Sequence, residues 1–404
     1  MLQPWFHTAK LGIFIHWGIY AVNGTSESWS FFNGETTYDE YMAQRHGFTA
    51  SRYDPDAWAN LFKKAGARYA VLTAKHHDGV ALFDTQLSDL SVVKQTLAGR
   101  DLIRPYCESL RKVGVKVGLY FSHLDWSHPD YASIGSNDAT ANRYAYRQGE
   151  SDMAAWQRFL AFHRGQIQEI CTQYGEIDLI WFDGDWERDA DTWDMAGLRR
   201  QIEAWQPNAI LNSRMRGHGD YDTPEQGLPL EAPDGPWEFC MTINDNWGYR
   251  PIDRNYKTPE QVIQIFCDVI GGGGNLLLDI GPMEDGTIPP EQVDVLERLG
   301  DWIGRHQEAV YETIRGLLKG YHGASTRSID GQCIFLFVPG RPGQIYVKGL
   351  MDEVKKATLL GSGVDVTHKR IGGAPWSNIP GTLWIDIPDD AVEPCMSVVR
   401  LELA

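Results

Sequence analysis

Five apolar runs of this chain each end in side chains that could do chemistry. The ends are His16-Trp17-Gly18, Lys75-His76-His77-Asp78-Gly79, Tyr120-Phe121-Ser122-His123, Trp181-Phe182-Asp183-Gly184-Asp185 and Asn212-Ser213-Arg214. One His or Asp at the end of a strand is usually a cap or a satisfied buried group. Five such ends in succession instead describe the mouth of one site. In extended chain Leu179, Trp181 and Asp183 share a face, so Asp183 emerges above the Trp181 ring. A carboxylate over an aromatic floor, ringed by imidazoles and a guanidinium, suits chemistry on a hydroxyl-rich ring. Hydrolysis of a glycosidic bond needs a second carboxyl group, protonated beside the leaving oxygen. The irregular stretch 217–239, rich in Gly and Pro, offers Glu225, Glu231 and Glu238. Residue chemistry does not rank these three, although Pro236-Trp237-Glu238-Phe239 reads as a buried structural acid and Glu225 lies in a more polar turn.

Other readings of the same residues are weaker. His76-His77-Asp78 contains metal-ligand types, but adjacent residues of an extended chain face opposite ways and no further ligand completes a set. No metal is expected there. Arg214 could brace loops or, facing a pocket, hold a carboxylate or sugar hydroxyls with its planar donors. Asp185, Asp189, Asp191 and Asp194 read as a solvated loop. The Gly271–Gly274 run precedes a strand, whereas phosphate loops follow a strand and open a helix.

The elements that must position these groups are legible as alternating apolar runs and helical periods between residues 10 and 310. Strands are expected at 11–16, 68–74, 115–121, 177–183, 208–213 and 275–280, with helices at 55–65, 101–113, 152–174, 193–205, 258–270 and 290–305. Asp54-Pro55 is a helix start by residue type. Six or more such units over 300 residues fit an α/β fold of the (β/α)8-like barrel type, in which functional residues gather at the carboxyl ends of the strands. After about residue 318 the runs become short, β-rich and separated by Gly, Pro and Asp. This predicts a catalytic barrel over 1–317 and a small C-terminal antiparallel β-sandwich over 318–404.

Composition excludes several classes. Among the 404 residues, Lys+Arg 37 against Asp+Glu 54 leaves a net charge of −17 with no basic run, which argues against nucleic acid as a partner. No apolar stretch approaches 18 residues, so no membrane span is expected. Six scattered cysteines without Cys-x-x-Cys spacing predict reduced, mostly buried thiols. The amino-terminal residues lack a basic-then-apolar leader pattern, which points to a cytoplasmic chain. The 15 Trp, 17 Tyr and 15 Phe supply flat faces of the kind that sugars stack on.

At these residues a resemblance emerges. Lys10-Leu11-Gly12-Ile13-Phe14-Ile15-His16-Trp17-Gly18, Lys75-His76-His77-Asp78-Gly79, Trp181-Phe182-Asp183-Gly184, Asn246-Trp247-Gly248-Tyr249 and the segment from Gly272 to Pro282 occur in an order and spacing that resembles the α-L-fucosidases of glycoside hydrolase family 29. The likeness covers nearly the whole chain. It implies a retaining mechanism on a barrel followed by a β-sandwich, with no metal or organic cofactor, acting on a fucosylated oligosaccharide or glycoconjugate. It also implies Asp183 as nucleophile and favours Glu225, in Thr223-Pro224-Glu225, as acid/base, with Glu231 and Glu238 in reserve. Sugar contacts are implied at His16, His76, His77, Tyr120, Trp181 and Arg214, with an aromatic wall at Trp247. Glu40-Tyr41 falls where many relatives have Glu-Trp, which implies Glu40 as a hydroxyl ligand. The Met241–Trp247 segment and the Glu225 loop are similar to members that cut α-1,3 and α-1,4 branches. The alternatives are a retaining hydrolase of another deoxy or galacto-configured sugar and a catalytically silent carbohydrate-binding barrel.

Overall fold

The computed structural model describes residues 2–131, 153–317, 319–374, 376 and 378–404. Seven strands, β1 (Leu11–Ile15), β2 (Tyr69–Lys75), β3 (Lys116–Ser122), β4 (Leu179–Asp183), β5 (Ile210–Leu211), β6 (Glu238–Thr242) and β7 (Asn275–Ile280), form one curled sheet in the order β5-β4-β3-β2-β1-β7-β6. Every pairing in it is parallel. These strands are buried almost end to end, because a parallel sheet covered on its outer face and packed on its inner face leaves no solvent side. Alternation still divides the two faces. Phe14, Tyr69, Val71, Tyr120, Leu179, Trp181 and Leu277 belong to an inner cluster, while their neighbours Ile13, Ile15, Ala70, Leu72, Ile180 and Phe182 pack outward with the helices.

The six expected helices are present as Pro55–Lys64, Ile103–Val113, Met153–Gln173, Met195–Trp205, Pro259–Gly271 and Pro290–Arg305. Their starts follow from local chemistry. The Asp54 side chain accepts the Ala57 N–H with Pro55 in the first turn, and Thr258 and Gln261 form a reciprocal capping box. Strand β6 was not expected, because it lies at the end of a stretch read as loop.

Between the two edge strands of the sheet runs the segment 221–226, which fills the eighth place in the barrel by isolated parallel bridges. Asn212 pairs with Tyr221, Asp222 with Trp237 and Glu225 with Cys240. The Asp222 N–H donates to the Pro236 carbonyl and the Glu238 N–H to Asp222, then Cys240 N–H donates to Pro224 and Gln226 N–H to Cys240. A continuous ladder would need a donor at residue 224 between these pairs, and proline has none. The eighth stave is therefore broken at the residue before Glu225.

Past the barrel, β8 (Thr313–Arg315), β9 (Ser325–Ser328), β10 (Cys333–Pro339), β11 (Gln344–Lys348), β12 (Val354–Leu359), β13 (His368–Ile371), β14 (Thr382–Asp386) and β15 (Met396–Leu403) form two antiparallel sheets, β12-β15-β10-β9-β8 and β11-β14-β13. Ile334, Leu336 and Val338 of β10 face the second sheet, whereas Phe335 and Phe337 join the core of the barrel helices. The Trp302 indole N–H donates to the Met396 carbonyl at 2.9 Å across that contact. The first strand of this layer, at Thr313–Arg315, lies ahead of the boundary at residue 318 drawn from composition. All six cysteines are free, five of them buried. Among the described residues no helix is long and apolar enough to cross a membrane.

Candidate active site

Asp183 ends β4 at the barrel mouth and is held from four directions. It accepts the Tyr120 hydroxyl at 2.9 Å, Arg214 Nη1 at 2.7 Å and the Gly184 N–H at 2.9 Å, and His77 Nε2 stands 3.6 Å from Oδ2. Burial pushes the carboxyl above its ordinary range, while Arg214, Tyr120 and the Gly184 N–H pull it back. The turn just past Asp183 needs a glycine: Gly184 has φ 84°, and a Cβ there would sit 2.4 Å from Leu124.

Arg214, just beyond β5, reaches both candidate carboxyl groups. Its Nη1 meets Asp183 and its Nη2 meets Glu225 Oε2 at 2.8 Å. Burial works to lower its pKa, but Asp183 and Glu225 outweigh it and the guanidinium is held more firmly charged. The same group lies 5.3 Å from the centre of the Trp181 ring. Glu225 is about two-fifths exposed, at the rim. Gln226, immediately after it, adopts φ 57°, a left-handed conformation that side chains rarely take.

Trp181 forms the floor. It stacks on Tyr120 at 5.7 Å with 16° between the planes, and Tyr120 lies parallel to His76 at 5.6 Å and 9°. Beneath the floor, Glu238 on β6 accepts the Trp181 indole N–H at 2.9 Å and the Tyr69 hydroxyl. Glu238 is wholly buried, and burial raises its carboxyl to about 7 despite those two donors. It braces the site from below and does not line the cavity. Glu231 is exposed and borders a separate groove between the 228–237 loop and the sandwich.

Three histidines complete the wall, each fixed through Nδ1 at 2.6 Å: His16 by Asp279, His76 by Ser28 and His77 by Ser122. Burial lowers the pKa of all three well below the ordinary imidazole value, so the rings are neutral near pH 7. Trp247 packs against His16 at 4.9 Å and Phe14 at 6.0 Å.

The enclosed cavity is about 150 Å³, below the ~300–1,000 Å³ of sites for drug-sized ligands and suited to one small ring. Eight residues expected from sequence line it together: His16, His76, Tyr120, Trp181, Asp183, Arg214, Glu225 and Trp247. His77 stands behind Asp183. Glu40 is not brought to it. It occupies the third position of the helix Tyr38–Ala43 and accepts the Thr37 N–H at 3.0 Å and hydroxyl at 2.8 Å, an exposed capping box set by the Thr37-x-x-Glu40 spacing. Tyr41 is buried with its hydroxyl donating to Asp78, so it offers no stacking face.

Three wall residues escaped sequence reasoning, Phe14, Trp29 and Trp186. Trp29 and Trp186 stack at 6.0 Å and 20°, with Trp186 partly exposed at the rim. Trp29 lies in Glu27-Ser28-Trp29, where one serine separates the Glu and Trp that a search for adjacent Glu-Trp would seek. Glu27 is buried and accepts the Gly248 N–H, tying that segment to the Trp247 wall. Among the described residues, no group of three or more His, Cys, Asp or Glu is arranged to hold a metal ion.

Comparison with known proteins adds to this geometry. A family profile described as Alpha-L-fucosidase matches residues 1–308. The tissue alpha-L-fucosidase of Macaca fascicularis is 31% identical over 337 residues, covering 77% of this chain and 69% of that protein. Among solved structures, alpha-L-fucosidase isoenzyme 1 from Paenibacillus thiaminolyticus superposes with TM-score 0.88 at 34% identity, covering 99% of this chain and 98% of the other. A family 29 alpha-L-fucosidase from Bacteroides thetaiotaomicron, solved as a trapped covalent intermediate with 2-fluoro-fucosyl fluoride, gives TM-score 0.85 at 28% identity over 99% and 95% of the two chains.

Proposed function

The chain belongs to the alpha-L-fucosidase family, glycoside hydrolase family 29, and from that premise we propose that it removes terminal α-L-fucosyl residues by double displacement, with Asp183 as nucleophile and Glu225 as acid/base. The observation that carries this reading is the single Arg214 guanidinium clamping both carboxyl groups at the mouth of a one-ring cavity.

A retaining glycosidase places its two carboxyl groups ~5–5.5 Å apart across the scissile bond. The nucleophile must stay ionised despite burial. Arg214, Tyr120 and the Gly184 N–H supply that stabilisation to Asp183. Attack of Asp183 on the anomeric carbon forms a glycosyl ester as Glu225 protonates the departing oxygen. Esterification then removes the Asp183 charge, and the Arg214 cation falls wholly to Glu225. Glu225 then takes a proton from the attacking water, whose oxygen joins the anomeric carbon as the ester bond to Asp183 breaks and the Asp183 carboxylate is released.

The ring is positioned by His16, His76, His77 and Arg214 at its hydroxyl groups and by Trp181 below. The methyl of fucose is placed against the apolar corner of Phe14 and Trp247. One methyl is worth only ~1–3 kcal/mol of discrimination, so the hydroxyl contacts carry the rest. Of the Met241–Trp247 segment only Trp247 lines the cavity, so choice of leaving group falls to the rim at Glu225 and Trp186. Preference for α-1,3 and α-1,4 linkages is part of the proposal.

The test is hydrolysis of a panel of aryl glycosides followed by NMR. α-L-fucose as the first-formed product from the fucoside supports the reading. Turnover of an α-galactoside without the fucoside would replace it with the alternative sugar, and binding of fucose without turnover with the silent barrel.

A further inference from the structure

His76 and His77 are adjacent in sequence, lie with ring centres 4.2 Å apart, and each meets a serine hydroxyl through Nδ1 at 2.6 Å. The two serines are wired differently. The Ser28 oxygen accepts the backbone N–H of Asp78 at 2.8 Å and keeps a second lone pair, so it can serve either form of His76. The Ser122 hydroxyl donates to the Leu124 carbonyl at 2.8 Å. A carbonyl can only accept, so the arrangement that satisfies both contacts of Ser122 carries a proton on His77 Nδ1. A neutral imidazole has one N–H, so that arrangement leaves His77 Nε2 bare.

We infer that Ser122 locks His77 with its proton on Nδ1, so that His77 offers the sugar an Nε2 acceptor. His77 is fully buried and its Nε2 has no hydrogen-bond partner in the protein, which leaves that nitrogen for a group of the substrate. The inference rests on the fucoside reading for the identity of the ring. With Asp183 beneath the anomeric carbon, the hydroxyl nearest His77 is the one on the adjacent carbon, and it must donate. Hydrogen bonds to that hydroxyl strengthen as positive charge develops on the ring, so the acceptor lone pair of His77 acts mainly in the transition state. Ser122 is a positioning residue, acting through the ring it orients.

The test is 15N NMR of the whole enzyme carrying labelled histidine, with signals assigned by loss in His76→Asn and His77→Asn. The expected wild-type spectrum has the His77 ring protonated at Nδ1. Ser122→Ala should move the His77 proton toward Nε2 and lower kcat roughly 10–100-fold with KM little changed, while Ser122→Thr restores both pattern and rate. A wild-type His77 ring protonated at Nε2 would overturn the inference even if every Ser122 variant failed to fold. So would an unaltered His77 pattern in folded Ser122→Ala. Failure of the fucoside reading is separate, because it shows as a wild-type enzyme that does not turn over the aryl fucoside.

Discussion

Asp183 and Glu225 meet the same guanidinium, one at 2.7 Å from Arg214 Nη1 and the other at 2.8 Å from Nη2. The first comes from a regular strand and the second from the broken eighth stave, so Arg214 is the element that fixes their relation. A planar fork with donors on both sides can do this, and the point charge of lysine cannot. Arg214→Lys should therefore lower kcat/KM for an aryl α-L-fucoside by on the order of 10²-fold or more while leaving the fold intact. Near-normal kinetics in the lysine variant would show that the bridge does not organise the pair.

Asp183→Ala should reduce turnover of the aryl fucoside by on the order of 10³-fold or more, because among the described residues Glu225 is the one other carboxyl group lining the cavity, and it is assigned to the leaving oxygen. Added azide should then yield a fucosyl azide of inverted configuration, which NMR distinguishes directly. A retained product, or turnover close to wild type, would move the nucleophile elsewhere.

Glu225→Ala should behave differently. Loss of acid catalysis costs ~10²–10⁴-fold on substrates with poor leaving groups and much less on fucosyl fluoride, whose departure needs no proton. Azide should accelerate breakdown of the accumulated ester and give a fucosyl azide of retained configuration. Equal losses on both substrates, without azide rescue, would send the acid/base role to another group.

Regular periodicity made most of this structure legible before any coordinates. Strand β4 puts Trp181 and Asp183 on one face because side chains alternate, and six helices fall where a 3.6-residue period runs, three of them behind a capping side chain at Asp54, Asp194 or Thr258. What stayed hidden depends on long-range contacts. β6 and the bridged segment 221–226 pair with each other across Pro224, and no local pattern announces a strand whose ladder is interrupted by a missing donor. Trp29 was missed because Ser28 separates it from Glu27, and that same serine turns out to hold His76. Glu40 was implied as a hydroxyl ligand by resemblance alone, and in the structure it is the cap that Thr37, three residues earlier, accounts for.

The placement of Glu40 has its own test. Glu40→Ala should leave kcat and KM on the aryl fucoside within about twofold and cost about 0.5–1 kcal/mol of stability in denaturant titration, the scale of a lost helix cap. A large rise in KM would return Glu40 to the sugar site.

Glu238 gives the sharpest separation between a buried brace and a catalytic acid. Its carboxyl is raised from 4.5 to about 7 by burial, with Tyr69 and Trp181 donating against that trend. Between those values the folded chain keeps a proton that the unfolded chain has released. The contribution is therefore complete below about pH 4.5 and is lost as pH climbs through 7, a change of at most about 3 kcal/mol. Glu238→Gln keeps an oxygen for the Trp181 N–H and cannot titrate. The difference in unfolding free energy between wild type and this variant, followed from pH 4 to 8, should slope downward with pH for the wild type relative to the glutamine form. The variant should also retain activity on the aryl fucoside within several-fold, since the floor of the pocket keeps its support. Parallel pH curves would mean that Glu238 does not hold its proton in the fold, and an inactive but folded glutamine variant would make it a rival to Glu225 after all.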